Sequence, residues 1–255
     1  MRVRLPALLA LMVLVAGHFQ VSGLAQARYQ PPRTADGKPD LQGLWQALNT
    51  AVGDIQDHHA TLGVPAGQGI VEGNEIPYRP EALTQREANR KNRAADPETK
   101  CWMVGVPRIM YMPFPIEIVQ TPAQVTILSE YAHTVRRIYL NSQHPDGEAG
   151  EIEWFMGDSR ATWDGDTLVV DVVHFTGETW FDRSGNFHSN ALHVVERFTR
   201  TGPDHLLYEA TIEDPKTFTR PWTISMPLYR RVEPDARLLE YECPAMLELQ
   251  KDTNR

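Results

Sequence analysis

Hydrophobic and polar residues alternate in short runs over the second half of the chain and only weakly before it. Residues 116–120, 125–131, 135–140, 168–174, 193–199, 206–212, 223–230 and 238–243 are rich in β-branched and aromatic side chains. That is the pattern of strands buried on one face. Turn formers separate the runs: Thr121-Pro122-Ala123, His144-Pro145-Asp146-Gly147, Trp163-Asp164-Gly165-Asp166, Thr201-Gly202-Pro203-Asp204 and Asp214-Pro215. The Asp164-Gly165 pair suits a tight hairpin turn. About eight strands with no helical periodicity between them predict an antiparallel meander. Closing the sheet hides its edges, which gives a lipocalin-like (calycin) up-and-down barrel, with a β-sandwich as the alternative. A barrel of this size can enclose one small ligand.

The earlier residues read differently. Residues 28–43 are polar and carry Pro31, Pro32 and Pro39, an extended arm. Trp45, Leu48, Val52 and Ile55 recur at helical spacing, predicting a weak helix interrupted by Gly53, with loop over 63–73. A better helix is expected over 80–95, with Pro80 in its first turn, Glu81 beside it and Asp96-Pro97 beyond its end. The expected organisation is an arm with loops and short helices over 28–115 packing on a barrel formed by 116–255.

Composition narrows the class. Six Trp, eight Tyr and eight Phe with 23% charged residues indicate a globular chain rather than a disordered one. A formal charge of −8 argues against a nucleic-acid partner. Arg2 and Arg4 precede an apolar stretch over 5–17, and Ala25-Gln26-Ala27 supplies a small-x-small cleavage site, together a secretory signal peptide ending at Ala27. The stretch is shorter than the roughly 20 residues of a membrane span. The mature chain is therefore expected in the periplasm or secreted, without a membrane span. An oxidising compartment favours pairing Cys101 with Cys243, the two cysteines of the chain. Such a bridge would add roughly 4–5 kcal/mol in the chain-entropy picture. Two buried thiols are the alternative.

Several segments also resemble successive signatures of a large family of secreted bacterial proteins. They are Asp36-Gly37-Lys38-Pro39-Asp40-Leu41-x-Gly43-x-Trp45, Gly105-Val106-Pro107-Arg108, Gly157-Asp158-Ser159, and the run from Trp163 through Asp164-Gly165-Asp166-Thr167-Leu168-Val169-Val170 to Asp171. His188-Ser189, Val194-Val195-Glu196-Arg197-Phe198, Glu213-Asp214-Pro215 and Pro221-Trp222-Thr223 continue the likeness. It covers roughly residues 33–243 and departs after Cys243, where Pro244-Ala245-Met246-Leu247 stands in place of polar residues. The resemblance implies export and a β-rich fold; it carries no activity.

Reactive side chains are densest between Asp158 and Arg197. On the run 168–174, alternation puts His174 on the face of Leu168, Val170 and Val172, with Asp171 opposite. An imidazole at the end of an apolar face suits general acid–base work or a hydrogen-bonded barrel rim. His188 and His193, five residues apart, would need a bend to join His174 around zinc or non-haem iron. No His-x-His or His-Glu-x-x-His pattern supports that, so no cofactor is predicted. Glu196 and Arg197 are adjacent, so one of them faces the interior and needs a partner, drawn from Glu130, Arg136, Arg137, Glu209 or Asp171. Asp164-Gly165-Asp166 lacks the remaining ligands of a calcium loop. Tyr111 and Phe114, and Trp180 and Phe181, lie in loop-like sequence, where large apolar groups either plug a barrel end or meet a ligand.

Two functional expectations follow. The first is a cofactor-independent lyase, isomerase, hydratase or cyclase acting on a small apolar or aromatic molecule in the barrel pocket. There His174, His188 or His193 moves protons, Asp171 or Glu196 orients, and Arg136 or Arg197 stabilises an anion. The second is a carrier that holds a hydrophobic ligand in the same pocket without turnover.

Overall fold

The computed structural model describes residues 29–60 and 65–241. Among them nine strands close into one barrel in chain order: β1 (Gly43–Ala47), β2 (Ile116–Gln120), β3 (Gln124–Ser129), β4 (Val135–Leu140), β5 (Asp158–Asp164), β6 (Thr167–Val173), β7 (His193–Gly202), β8 (His205–Glu213) and β9 (Trp222–Arg230). Neighbours are antiparallel, with β9 returning to β1, except that β4 and β5 run parallel over three residue pairs. The molecule is mainly β and barrel-shaped, as the alternation predicts, with one stave more than expected. Helix α1 (Pro80–Lys91) starts at Pro80 as expected, and a separate 3-10 turn spans Arg93–Ala95. No helix among the described residues is long and apolar enough to cross a membrane. The expected signal peptide at 1–27 and Cys243 lie outside the described residues.

Three elements depart from the sequence pattern. The helix expected around Trp45 is instead β1, followed by turns. Trp45 and Ala47 point inward, so the strand period rather than the helical one governs this segment, and Leu48 is exposed. The arm thus supplies the stave that seals the barrel: Trp45 pairs with Ile116 on one side and Arg230 on the other. Residues 158–164 form β5 although they carry little apolar alternation, because two of its inward positions are the small residues Ser159 and Ala161. The strand expected over 238–243 does not form in its described part, since both edges of β9 are already taken, by β8 and β1.

A hollow interior is not what closes this barrel. Val170, Val172, Val194, Glu196, Tyr208, Ala210 and Ile212 are all 0% exposed, which leaves no ligand-sized space beside them. Inward side chains from the nine staves fill the lumen, as in other small barrels. The expectation of a ligand in the lumen is therefore corrected. The expected plug is present instead: Phe181 packs edge-on against Trp222, 5.4 Å between centroids, and Tyr111 donates its hydroxyl to the Phe181 carbonyl at 2.8 Å.

Candidate ligand-binding cleft

The parallel β4–β5 seam creates an opening. Pairing begins only at Ile138 with Ser159, so Val135, Arg136 and Arg137 have no β5 neighbour. A parallel return requires a crossover, and residues 141–157 provide it, with one short helix, α2 (Gly147–Gly150). The end of that crossover lies across the unpaired start of β4 and leaves a cleft of about 370 Å³. Gly157 makes the turn into β5 with φ of 65°. A Cβ there would come within 2.7 Å of Val172 Cγ1 and 2.9 Å of Phe175 Cζ, so only glycine fits.

The cleft is amphipathic. Met103, Val135, Tyr139 and Trp154 line it and are all substantially solvent-exposed, Trp154 at 51%. Exposed large apolar groups gathered around one opening make it a candidate binding surface. Arg136 and Ser159, both nearly fully buried, reach the same cleft. Here the expectation that an interior charge needs a partner is met. Glu196 faces inward and receives both terminal nitrogens of Arg136, Nη1 at 3.0 Å, and the Tyr208 hydroxyl at 2.8 Å. Ser159 Oγ accepts from Arg136 Nε and Nη2 at 3.1 and 3.0 Å. The Ser159 hydroxyl hydrogen has no acceptor among the described residues, which leaves a buried donor at the cleft wall. Burial, together with the adjacent Glu196 charge, keeps the Tyr208 hydroxyl protonated.

Asp158 forms one edge of the cleft and begins a chain of ionisable groups on the barrel's outer face. Arg160 grips it with two hydrogen bonds of 2.7 and 2.8 Å. His144 Nδ1 lies 2.6 Å from Asp158 and its Nε2 lies 2.8 Å from Asp171. The second Asp171 oxygen is 2.9 Å from His193 Nε2. Burial opposes the charge on Asp158, yet hydrogen bonds from Arg160 and His144 outweigh it and hold the carboxyl below its ordinary range. Asp171 is likewise lowered, its desolvation outweighed by His193 and His144. His144 thus bridges the two carboxylates through its two ring nitrogens.

The predicted residues separate into distinct places. Asp171 and His193 come together, outside the barrel. His174 follows the end of β6 with a left-handed φ of 62°, which takes it out of the inward alternation, and its ring lies 6.0 Å from that of His144. His188 is elsewhere and buried, its Nδ1 2.8 Å from the Ser189 carbonyl and its Nε2 2.7 Å from Thr179 Oγ1. Desolvation lowers its pKa, and the neutral ring is a structural link packed on Phe175 and Phe181. Arg197 points outward to Asp164 at 2.9 Å, so it has no part in the cleft. Phe114 packs on Tyr131 and Tyr241, and Trp180 is buried away from it. The three expected histidines therefore do not meet, and no group of three His, Cys, Asp or Glu side chains among the described residues is arranged to hold a metal.

Sequence reasoning missed His144, Val135, Tyr139 and Trp154 as site residues, and offered Arg137 only as a partner for an interior charge. His144 sits in His144-Pro145-Asp146-Gly147, which carries a turn signal and nothing that points to Asp158 or Asp171. The outer face of β4 did carry a signal, since Val135 and Tyr139 alternate with Arg137 on the side away from the core. No protein-family model and no curated protein matches the chain.

Proposed function

We propose that the protein binds a small, largely apolar or aromatic molecule in the cleft between the start of β4 and residues 153–157. The observation that carries this reading is the cleft's composition. Exposed aromatic and aliphatic walls surround a buried hydroxyl donor, Ser159, that lacks an acceptor. Apolar walls supply binding free energy by burial, about 25 cal/mol per Å², and a single placed donor fixes orientation. The ionisable groups of the neighbouring chain, Asp158, His144, Asp171 and His193, are already engaged with one another, which favours holding a ligand over transforming it. Titration with naphthalene, followed by tryptophan fluorescence, tests the reading. Saturable one-to-one quenching, weakened about tenfold in Trp154→Ser, supports it; unsaturable or unchanged quenching counts against it.

Acid–base turnover is the second reading, supported by the Asp158–His144–Asp171–His193 chain that starts at the cleft edge. On that reading Asp158, the member of the chain that lines the cleft, accepts a proton from bound substrate and returns it at another atom, with His144 positioning the carboxylate. The discriminating variant is His144→Gln: a carrier keeps its ligand affinity, whereas an enzyme keeps affinity and loses turnover. Export through residues 1–27 belongs to the same proposal and puts ligand capture in the periplasm or outside the cell, where Cys101 would be bridged to Cys243. Recovery of a chain beginning at Arg28 from the periplasm or medium supports that location.

A further inference from the structure

The outer face of β4 presents Val135, Arg137 and Tyr139 in alternation, all three on the cleft wall. Arg137 is exposed and makes no hydrogen bond or ion pair to any described residue. Every other charge on the cleft wall is engaged. Arg136 is paired with Glu196, and Asp158 with Arg160 and His144. Glu153 lines both this cleft and the neighbouring hollow around His174 and His193, and accepts from Asn190 of that hollow at 2.7 Å. An unpaired guanidinium thus stands between an aliphatic and an aromatic side chain, opposite Trp154 and Phe155.

We propose that the molecule this cleft accepts is an aromatic carboxylate, its rings against Trp154 and Tyr139 and its carboxylate on Arg137. The inference rests on the cleft being the binding site. A planar guanidinium matches a carboxylate with two parallel hydrogen bonds, which a neutral ester cannot accept as strongly. Tyr139 is held for stacking by the Arg160 guanidinium, 4.8 Å from its ring centroid.

Calorimetric titration with 1-naphthoate and with its methyl ester tests the proposal at low ionic strength. The acid is expected to bind about tenfold tighter than the ester, the discrimination of one charge-assisted contact. In Arg137→Gln the acid falls to the ester's affinity while the ester is unchanged; in Arg137→Lys part of the preference returns. Equal binding of acid and ester to the unaltered protein overturns the carboxylate proposal and leaves the cleft reading standing. Failure of both to bind overturns the cleft reading and the proposal with it. A preference that survives Arg137→Gln also overturns the proposal, because some other group then reads the charge.

Discussion

Arg136 shows how one buried side chain ties the core to the cleft. Its guanidinium donates to Glu196 and Ser159 at once, inside a barrel where Glu196 is 0% exposed. Removing one partner of such a pair strands the other, at a cost of about 3–5 kcal/mol, whereas replacing both with apolar groups costs far less. Arg136→Met is therefore expected to lower stability by about that amount in urea unfolding, and Arg136→Met/Glu196→Met to recover much of it. Equal losses in the single and double variants would show that the pair is not coupled. The carboxylates give a pH signature. Asp158 and Glu98 are both held below their ordinary range in the fold, hydrogen bonds from arginine (and from His144 in the case of Asp158) outweighing burial. The unfolded chain then binds more protons than the folded one. The stability they contribute is complete above the ordinary carboxylate values of 3.8 and 4.5 and is lost as pH falls through the lowered ones. Thermal midpoints measured downward from about pH 5 should drop, with a shallower slope in Asp158→Asn; an unchanged slope would remove Asp158 from the account.

Among the elements, the β4–β5 seam is a short stave contact, with three paired residues, as at either edge of β1, against nine pairs between β7 and β8. Hydrogen exchange should therefore open β4–β5 before the β6–β9 staves, and slower exchange at the seam would contradict this reading of the cleft. Gly157→Ala is expected to destabilise by at least about 1 kcal/mol, since it adds both strain at positive φ and a collision with Val172. These elements also show what the sequence made visible. The bounds of β2 and β4 were legible because their inward positions are apolar and breakers flank them. β5 was not, because Ser159 had to be small to sit under Arg136, and a small inward residue erases the alternation that reveals a strand. β1 was masked by a chance helical spacing of Trp45 with Leu48, Val52 and Ile55, of which Leu48 is exposed.

For the whole molecule, closure was legible and the site was not. Eight runs with short turns pointed to a barrel, and the adjacent Glu196 and Arg197 pointed to one interior charge, with Arg136 among its five candidate partners. Whether the lumen is empty depends on the sum of inward volumes, and Tyr208, Phe198, Trp45 and Trp222 together fill it. The proposed binding site therefore lies on the flank of the barrel rather than inside it, where a parallel return left one stave half-covered. His144 reached the site through that crossover, a through-space arrangement with no local sequence trace. The central claim is that ligand binds on this flank and not within the barrel. Backbone amide chemical shifts recorded during titration with 1-naphthoate test it most directly. The account predicts perturbations over 135–139 and 153–159, with Val170, Val194 and Ala210 unmoved; shifts concentrated at those three interior residues would contradict it.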